Sequence, residues 1–132
     1  MIEIPVSFGE LVDKLTILEL KFHYIKDKVK SIHIKHELQL LKKLYKKYYD
    51  TGDLPIKTTI HDLKDKLYKI NSDIWKLEDN IRNKEKLQEF DDDFISYARS
   101  IYKVNDKRAL LKRKLNNLVN SEIIEEKSYQ EY

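Results

Sequence analysis

The stretch TIHDLKDKLYKINSDIWKLEDNI, residues 59–81, decides the fold. Ile60, Leu63, Leu67, Ile70, Ile74, Leu77 and Ile81 recur at alternating spacings of three and four. On a helix that rhythm draws one apolar stripe, the seam along which two helices pack. Thr59, with Asp62 three residues on, supplies a start signal, because its hydroxyl can accept a bond from an unpaired first-turn N–H. No glycine or proline interrupts the stripe. A helix carrying it would be roughly 45 Å long at about 1.5 Å per residue.

The same rhythm returns downstream in Phe94, Tyr97, Ile101, Val104, Leu111, Leu115 and Leu118. It calls for an apolar residue at 108, where the chain has Arg108. A charge in an apolar seam is costly unless paired and hydrogen-bonded, so the fold must give Arg108 a partner. Between the arms, Asp91-Asp92-Asp93 offers a cap and negative charge at a helix N-terminus. The chain is therefore expected to reverse near Phe90 or Asp91. Equal rise in antiparallel arms puts Arg108 level with Asp73 and Ile74, within a turn of Trp75 and Glu78. Asn105 falls level with Lys76 and Leu77.

A polar strip flanks the seam. Asn71, Trp75, Glu78, Arg82 and Glu85 run beside the first arm, and Asn105, Arg108 and Lys112 share a face of the second. One reading is an ion-pair network that holds register. The other is an anion or small-molecule site, with Arg82, Arg108 and Lys112 as donors and Trp75 as a stacking wall.

Toward the N-terminus, Ile2 to Val6 reads as a short extended lead-in. Ser7-Phe8-Gly9-Glu10 has the form of a capping box, in which serine caps the helix and glutamate reaches back. A helix follows with Leu11, Leu15, Leu18, Phe22, Ile25 and Val29 on its seam, and Glu10, Asp13, Lys14 and Lys21 beside it. Glu10 and Asp13 are candidate partners for the hairpin's arginines; the alternative is a solvated flank with a Glu10–Lys14 pair worth about a few tenths of a kcal/mol. A break is expected at Lys30-Ser31, with Ser31 capping a second helix that runs to about Tyr49. Gly52 and Pro55 mark the clearest loop. The expected organisation is one domain: a short helical pair over 1–50, a loop over 51–58, a long helical hairpin over 59–121 and a tail over 122–132. The fold class is all-α, an antiparallel four-helix bundle built on the C-terminal hairpin.

Composition agrees. Of 132 residues, 41% are apolar and 37% charged, with 2 Gly and 2 Pro, which suits long amphipathic helices. The absence of cysteine excludes disulfides and thiolate metal sites. No run has the apolar length of a membrane span, and the N-terminus lacks signal-peptide features, so no membrane association and a cytoplasmic location are expected. The net charge of +3 is mild and sits within residues 1–50, which carry ten Lys against seven Asp plus Glu.

Motif chemistry is sparse. His33 and His36 lie on one helix face, but the spacing of a zinc enzyme is missing, so neither metal nor cofactor is expected. Lys42 to Tyr49 interleaves lysine and tyrosine in the manner of nucleic-acid binders. However, Tyr45 and Tyr48 fall on the seam and the lysines on the solvated side, which disfavours nucleic acid. No activated nucleophile and no glycine-rich phosphate loop is visible.

Four segments together resemble a family of small bacterial and phage proteins, a domain of unknown function. They are Ile4-Pro5-Val6-Ser7-Phe8-Gly9-Glu10-Leu11-Val12-Asp13-Lys14-Leu15-Thr16-Ile17-Leu18; Trp75 with Glu78-Asp79 and Arg82; Asn105-Asp106 with Arg108-Ala109 and Lys112-Arg113; and Glu125-Glu126-Lys127-Ser128-Tyr129. The likeness covers nearly the whole chain, is weakest over 30–60, and implies a common build without an activity. Its segments coincide with the polar strip drawn by periodicity.

The functional expectation is a non-catalytic domain that binds a small anionic ligand or a protein partner. The candidate site is Glu10, Asp13, Lys14, Trp75, Glu78, Arg82, Asn105, Arg108 and Lys112. The alternatives are an enzyme acting on a small anionic metabolite at those residues, and an adaptor that self-associates as a homo-oligomer.

Overall fold

Ser7 starts the first helix by accepting a hydrogen bond from the Glu10 N–H at 3.1 Å. In the computed structural model, which describes residues 1–132, that helix is α1 (Phe8–Tyr24), followed by α2 (Lys28–Tyr49), α3 (Leu54–Leu87) and α4 (Asp92–Leu118), with no strand. The chain is all-α, an antiparallel bundle built on the α3–α4 hairpin. No helix is long and apolar enough to cross a membrane.

Several boundaries differ from the sequence expectation, each for a capping reason. α1 ends at Tyr24, ahead of the expected Lys30-Ser31 break, because Asp27 caps α2 by accepting from the Lys30 N–H at 2.9 Å. Ser31 instead donates back to the Ile25 carbonyl at 3.1 Å and closes the turn. α3 starts at Leu54, ahead of Thr59, because Asp53 accepts from the Ile56 N–H at 3.0 Å. Pro55 was expected within the 51–58 loop; it lies instead in the first turn of α3, where a missing N–H costs nothing. Thr59 sits inside the helix, donating to the Pro55 carbonyl at 3.0 Å.

The reversal falls at Gln88–Asp91, where the triple aspartate pointed. Gln88 takes the left-handed conformation at φ 55°. The Gln88 and Glu89 N–H groups return to the Glu85 and Lys84 carbonyls, each at 3.0 Å, a Schellman end. Asp91 caps α4 through the Phe94 N–H at 3.0 Å. Lys84 ties the turn, donating to Glu89 at 2.9 Å and to Asp91 at 2.8 Å.

α1 is shared by both parts of the core. Phe8, Leu11 and Val12 pack against Ile60, Leu63 and Leu67 of α3 and Leu111 and Leu115 of α4. Further along α1, Leu15 and Leu18 pack against Ile34 and Leu38 of α2. Tyr45 bridges the two clusters and stacks on Phe8 with ring centroids 6.3 Å apart. Burial pushes its hydroxyl up to about 12. Beyond Asn71 and before Leu111 the core stops: no residue from 72 to 110 is buried, so the distal hairpin is an arm extending past the body.

The approach of α1 to α4 is as close as backbone allows. A Cβ on Gly9 would lie 2.3 Å from the Lys112 carbonyl oxygen. The unpaired N–H groups of the first turn are met from α4 and its following turn: Gly9 donates to Asn116 Oδ1 at 2.6 Å and Phe8 to Ser121 Oγ at 3.3 Å. Gly9→Ala is therefore expected to lower stability by about 1–3 kcal/mol, the range for overpacking, despite a helix-propensity gain of up to about 1 kcal/mol. Gly52→Ala would first meet the flexible Ile56 Cγ2 at 3.0 Å and is expected to change stability little. Urea unfolding of the two variants checks this; equal losses would place the sensitivity elsewhere than at the crossing.

Candidate functional site

α1 projects Asp13 toward the hairpin, and its side chain is completely buried. A buried carboxylate must be paired. Arg108 grips it with two bonds, from Nε to Oδ1 at 2.9 Å and from Nη2 to Oδ2. Asn71 of α3 donates to the same Oδ1 at 2.9 Å and to Thr16 Oγ1 at 2.9 Å. Thr16 in turn donates to the Asp13 carbonyl at 2.8 Å. One α1 carboxylate thereby joins three helices, and the arginine that broke the hairpin seam has its partner outside the hairpin.

One turn toward the α1 N-terminus, Glu10 accepts from Lys112 Nζ at 2.7 Å. The capping box is thus only half formed: Ser7 caps, while the Glu10 carboxylate turns to α4. Lys112 also donates to Glu125 of the C-terminal tail at 3.0 Å and lies 4.0 Å from Asp13 Oδ2. Past Leu118 the chain leaves the helix through left-handed Asn120 at φ 52° and folds back along α4. Arg113 holds Glu126 at 2.8 Å, and the Tyr132 hydroxyl donates to Asp106.

The expected site residues divide into groups. Glu10, Asp13, Lys14 and Arg108 line a cleft of about 210 Å³ with Ile17 and Lys21. Lys14 pairs with Glu37 of α2 at 3.4 Å, across the cleft from Arg108. Asn105 accepts from Arg108 Nη1 at 3.4 Å. Lys112 adjoins through Glu10. Trp75 lies apart and stacks on Tyr24 at 5.2 Å. Glu78 and Arg82 form an exposed pair one turn apart at 3.2 Å. Equal-rise register set Arg108 beside Asp73 and Glu78; docking of α1 gave it Asp13. Sequence reasoning left Thr16, Asn116, Ser121 and Glu125 without roles. Glu125 stood in a quoted segment, whereas Asn116 carried no signal, because only the Gly9 crossing makes it useful.

The surroundings hold Arg108, Lys112 and Glu125 in their charged forms. Hydrogen bonding to Asp13 raises the Arg108 pKa, against the opposing effect of burial. Burial pushes the Lys112 ammonium down, and the bonds to Glu10 and Glu125 outweigh it, leaving the pKa raised. Lys127 and then Lys112 hold Glu125 down at about 2. Every resolved shift in the network moves away from neutrality, the opposite of what a general acid or base requires. All buried polar side-chain atoms have partners. No group of three or more His, Asp or Glu side chains converges as a metal cage; His33 and His36 stand exposed on α2.

Residues 2–132 match a family of unknown function (DUF6165), and the chain belongs to that family. No curated protein and no solved structure matches the chain.

Arg108→Met would leave Asp13 with Asn71 and a distant Lys112. It is expected to cost about 3 kcal/mol, the low end for orphaning a buried ion. Asp13→Leu with Arg108→Met should recover most of that loss. Arg82→Ala, at an exposed pair, should cost less than about 0.5 kcal/mol. Urea unfolding of these three variants and of Asp13→Leu alone checks the ranking; a double variant as unstable as the sum of the two single ones would show that the pair is not a closed unit. Glu125 also makes the tail pH-sensitive. Its folded pKa of about 2 lies below the ordinary glutamate value of about 4.3. The bridge therefore contributes fully above that ordinary value and is lost as pH falls toward 2. Glu125→Gln should reproduce tail release at neutral pH. The expected readout is faster amide exchange over 122–132 with the melting temperature of the body held.

Proposed function

For this member of a family of unknown function, we propose a non-catalytic protein-interaction domain. In this reading α1, α2 and the base of the hairpin form an anchored body, and the projecting α3–α4 arm is the binding element. The carrying observation is the apolar surface left open along the hairpin. Leu87 and Phe90 are each 55% exposed, Ile95 is 52% and Leu110 is 61%, while no residue from 72 to 110 is buried. Two helices cover only one side of each seam. Apolar area left in water forgoes about 25 cal/mol per Å², so the exposed side chains at the tip, and Leu110 at the base, favour a partner that covers them. The pKa directions of the Asp13 network favour a joint over a reaction centre, since its cations are already neutralised by Asp13, Glu10 and Glu125.

A second reading, a small-anion site, has one observation in its favour. Lys21 lines the 210 Å³ cleft beside Arg108 and makes no ion pair of its own. A carboxylate or phosphate entering there would meet Lys21 first.

Two measurements check these readings. Lysine cross-linking in a lysate of cells producing the chain is expected to join arm residues Lys76, Lys86 and Lys103 to another polypeptide. Leu87→Glu with Ile95→Glu should abolish those links, and links unchanged by the variant would defeat the arm as binding element. A thermal-shift series with dicarboxylates and sugar phosphates addresses the cleft: a rise in melting temperature lost in Lys21→Met would support the anion site, and no rise with any compound would remove it.

A further inference from the structure

The open face of the hairpin carries two features that fit each other. At its base, away from the α1 contacts, lies a shallow groove of about 310 Å³ with Ile70 and Leu110 in its floor and Lys66, Lys69, Lys107 and Lys114 on its rim. Lys66 and Lys69 pair within their own helix, to Asp62 at 3.0 Å and Asp73 at 3.8 Å. Lys107 and Lys114 have no carboxylate partner within the ion-pair distance. At the other end lies the turn, with Leu87 and Phe90 exposed and Asp91, Asp92 and Asp93 beside them. Asp92 likewise has no cation partner.

Helical phase puts these features on one face. On α4, Lys114, Leu110, Lys107, Lys103, Ser100, Ser96 and Asp92 follow one another within a single stripe. On α3, Ile70, Asp73, Leu77, Asn80, Lys84 and Leu87 do the same.

Resting on the arm as the binding element, we infer that the partner is a second copy of this chain, with the two arms packed face to face and antiparallel about a two-fold axis. In such a pair α3 lies on its symmetry mate, and so does α4, and the tip of each copy enters the groove of the other. A single register satisfies both helices at once. It lays Leu87 over Ile70, Lys84 over Asp73, and Leu77 beside Asn80 near the axis. The same register sets Asp92 at Leu110, between the unpaired Lys107 and Lys114. Ser96 and Ser100 are the small members of the α4 stripe, while Lys103 lies beside the axis and must carry its ammonium out of the seam to water. The interface is isologous, as closed two-fold symmetry requires.

The size is sufficient. Groove and tip are about 20 residues apart, or roughly 30 Å at 1.5 Å per residue. A two-helix face about 20 Å wide over that length covers about 600 Å² per partner, or about 1,200 Å² in total, at the lower end of specific interfaces. The charge pattern supplies register and rejects the parallel arrangement, which would set acidic tip on acidic tip and lysine rim on lysine rim.

The test is a charge exchange read by sedimentation equilibrium, with circular dichroism confirming that each variant is helical. The wild-type chain is expected to dimerise, more weakly at high salt. Lys107→Glu with Lys114→Glu should weaken the dimer about 100-fold or more, and so should Asp92→Lys with Asp93→Lys. An equimolar mixture of the two variants should recover dimer, since each groove then meets a tip of opposite charge. The chain carrying all four changes should dimerise alone. A monomeric wild type, or a mixture that stays monomeric, overturns the inference. Cross-links from the arm to a foreign chain alongside a monomeric wild type would overturn the dimer and leave the interaction-domain reading standing. A monomer without arm-dependent cross-links would remove both.

Discussion

A carboxylate with no access to water sits where three helices meet, and the structure is arranged around keeping it satisfied. Asp13 is held by two nitrogens of Arg108 and one of Asn71. An isolated ion in such a place would cost several kcal/mol, so α1 can dock only in the register that brings all these donors to it. The Gly9 crossing then follows. With Asp13 on Arg108, the first turn of α1 falls against Lys112 and Asn116, and a side chain on residue 9 has no room. Asn116 and Ser121 answer the open N–H groups of that turn. The network is narrow in its tolerances because a charge and a backbone contact are set by the same docking.

That joint divides the hairpin into unequal parts. Up to Asn71 and from Leu111 onward, α1 covers the seam and the core is dry. Beyond, apart from Tyr24 on Trp75 and the tail's Tyr132 on Asp106 and Tyr102, the two helices have only each other, and their apolar residues remain half in water. The polar joint caps the covered core at the level where α1 ends its contact with α4. A buried ion pair of this kind contributes little net stability over a well-packed apolar substitute, and its better-attested use is to specify one arrangement among several. Here it specifies which part of a uniform seam is covered by α1 and which part is left for something else.

The tail adds a second electrostatic layer. Glu125 and Glu126 lie on Lys112 and Arg113, next to the cations that face α1. The acidic residues at the end of the chain therefore give Lys112 a second carboxylate and Arg113 its partner. Lys112 is the common member, held between Glu10 of α1 and Glu125 of the tail. Both ends of the chain thus converge on the same turn of α4.

Much of this was legible in the chain. Alternating spacings of three and four announced four amphipathic helices, and three aspartates in a row placed the reversal within two or three residues. Arg108 stood out as a charge in an apolar seam, and the need for a partner followed from desolvation alone. The identity of that partner did not. Equal-rise register within the hairpin offers Asp73 and Glu78, and nothing local distinguishes them from Asp13, because the choice depends on how α1 lies across both arms. The same holds for Asn116 and Ser121, whose use is set by a crossing that no periodicity encodes. The starts of α2 and α3 were expected at Ser31 and Thr59 and fall at Asp27 and Asp53, where two caps competed; at the second, a proline reads alike as a loop residue and as a first-turn residue until the backbone angles are known. Local pattern is a property of neighbours in the chain, and so the sequence by itself determined the helices, their faces and the one charge that required burial. Which faces meet depends on rigid-body packing of whole elements, and only the tertiary structure decided which carboxylate that charge found.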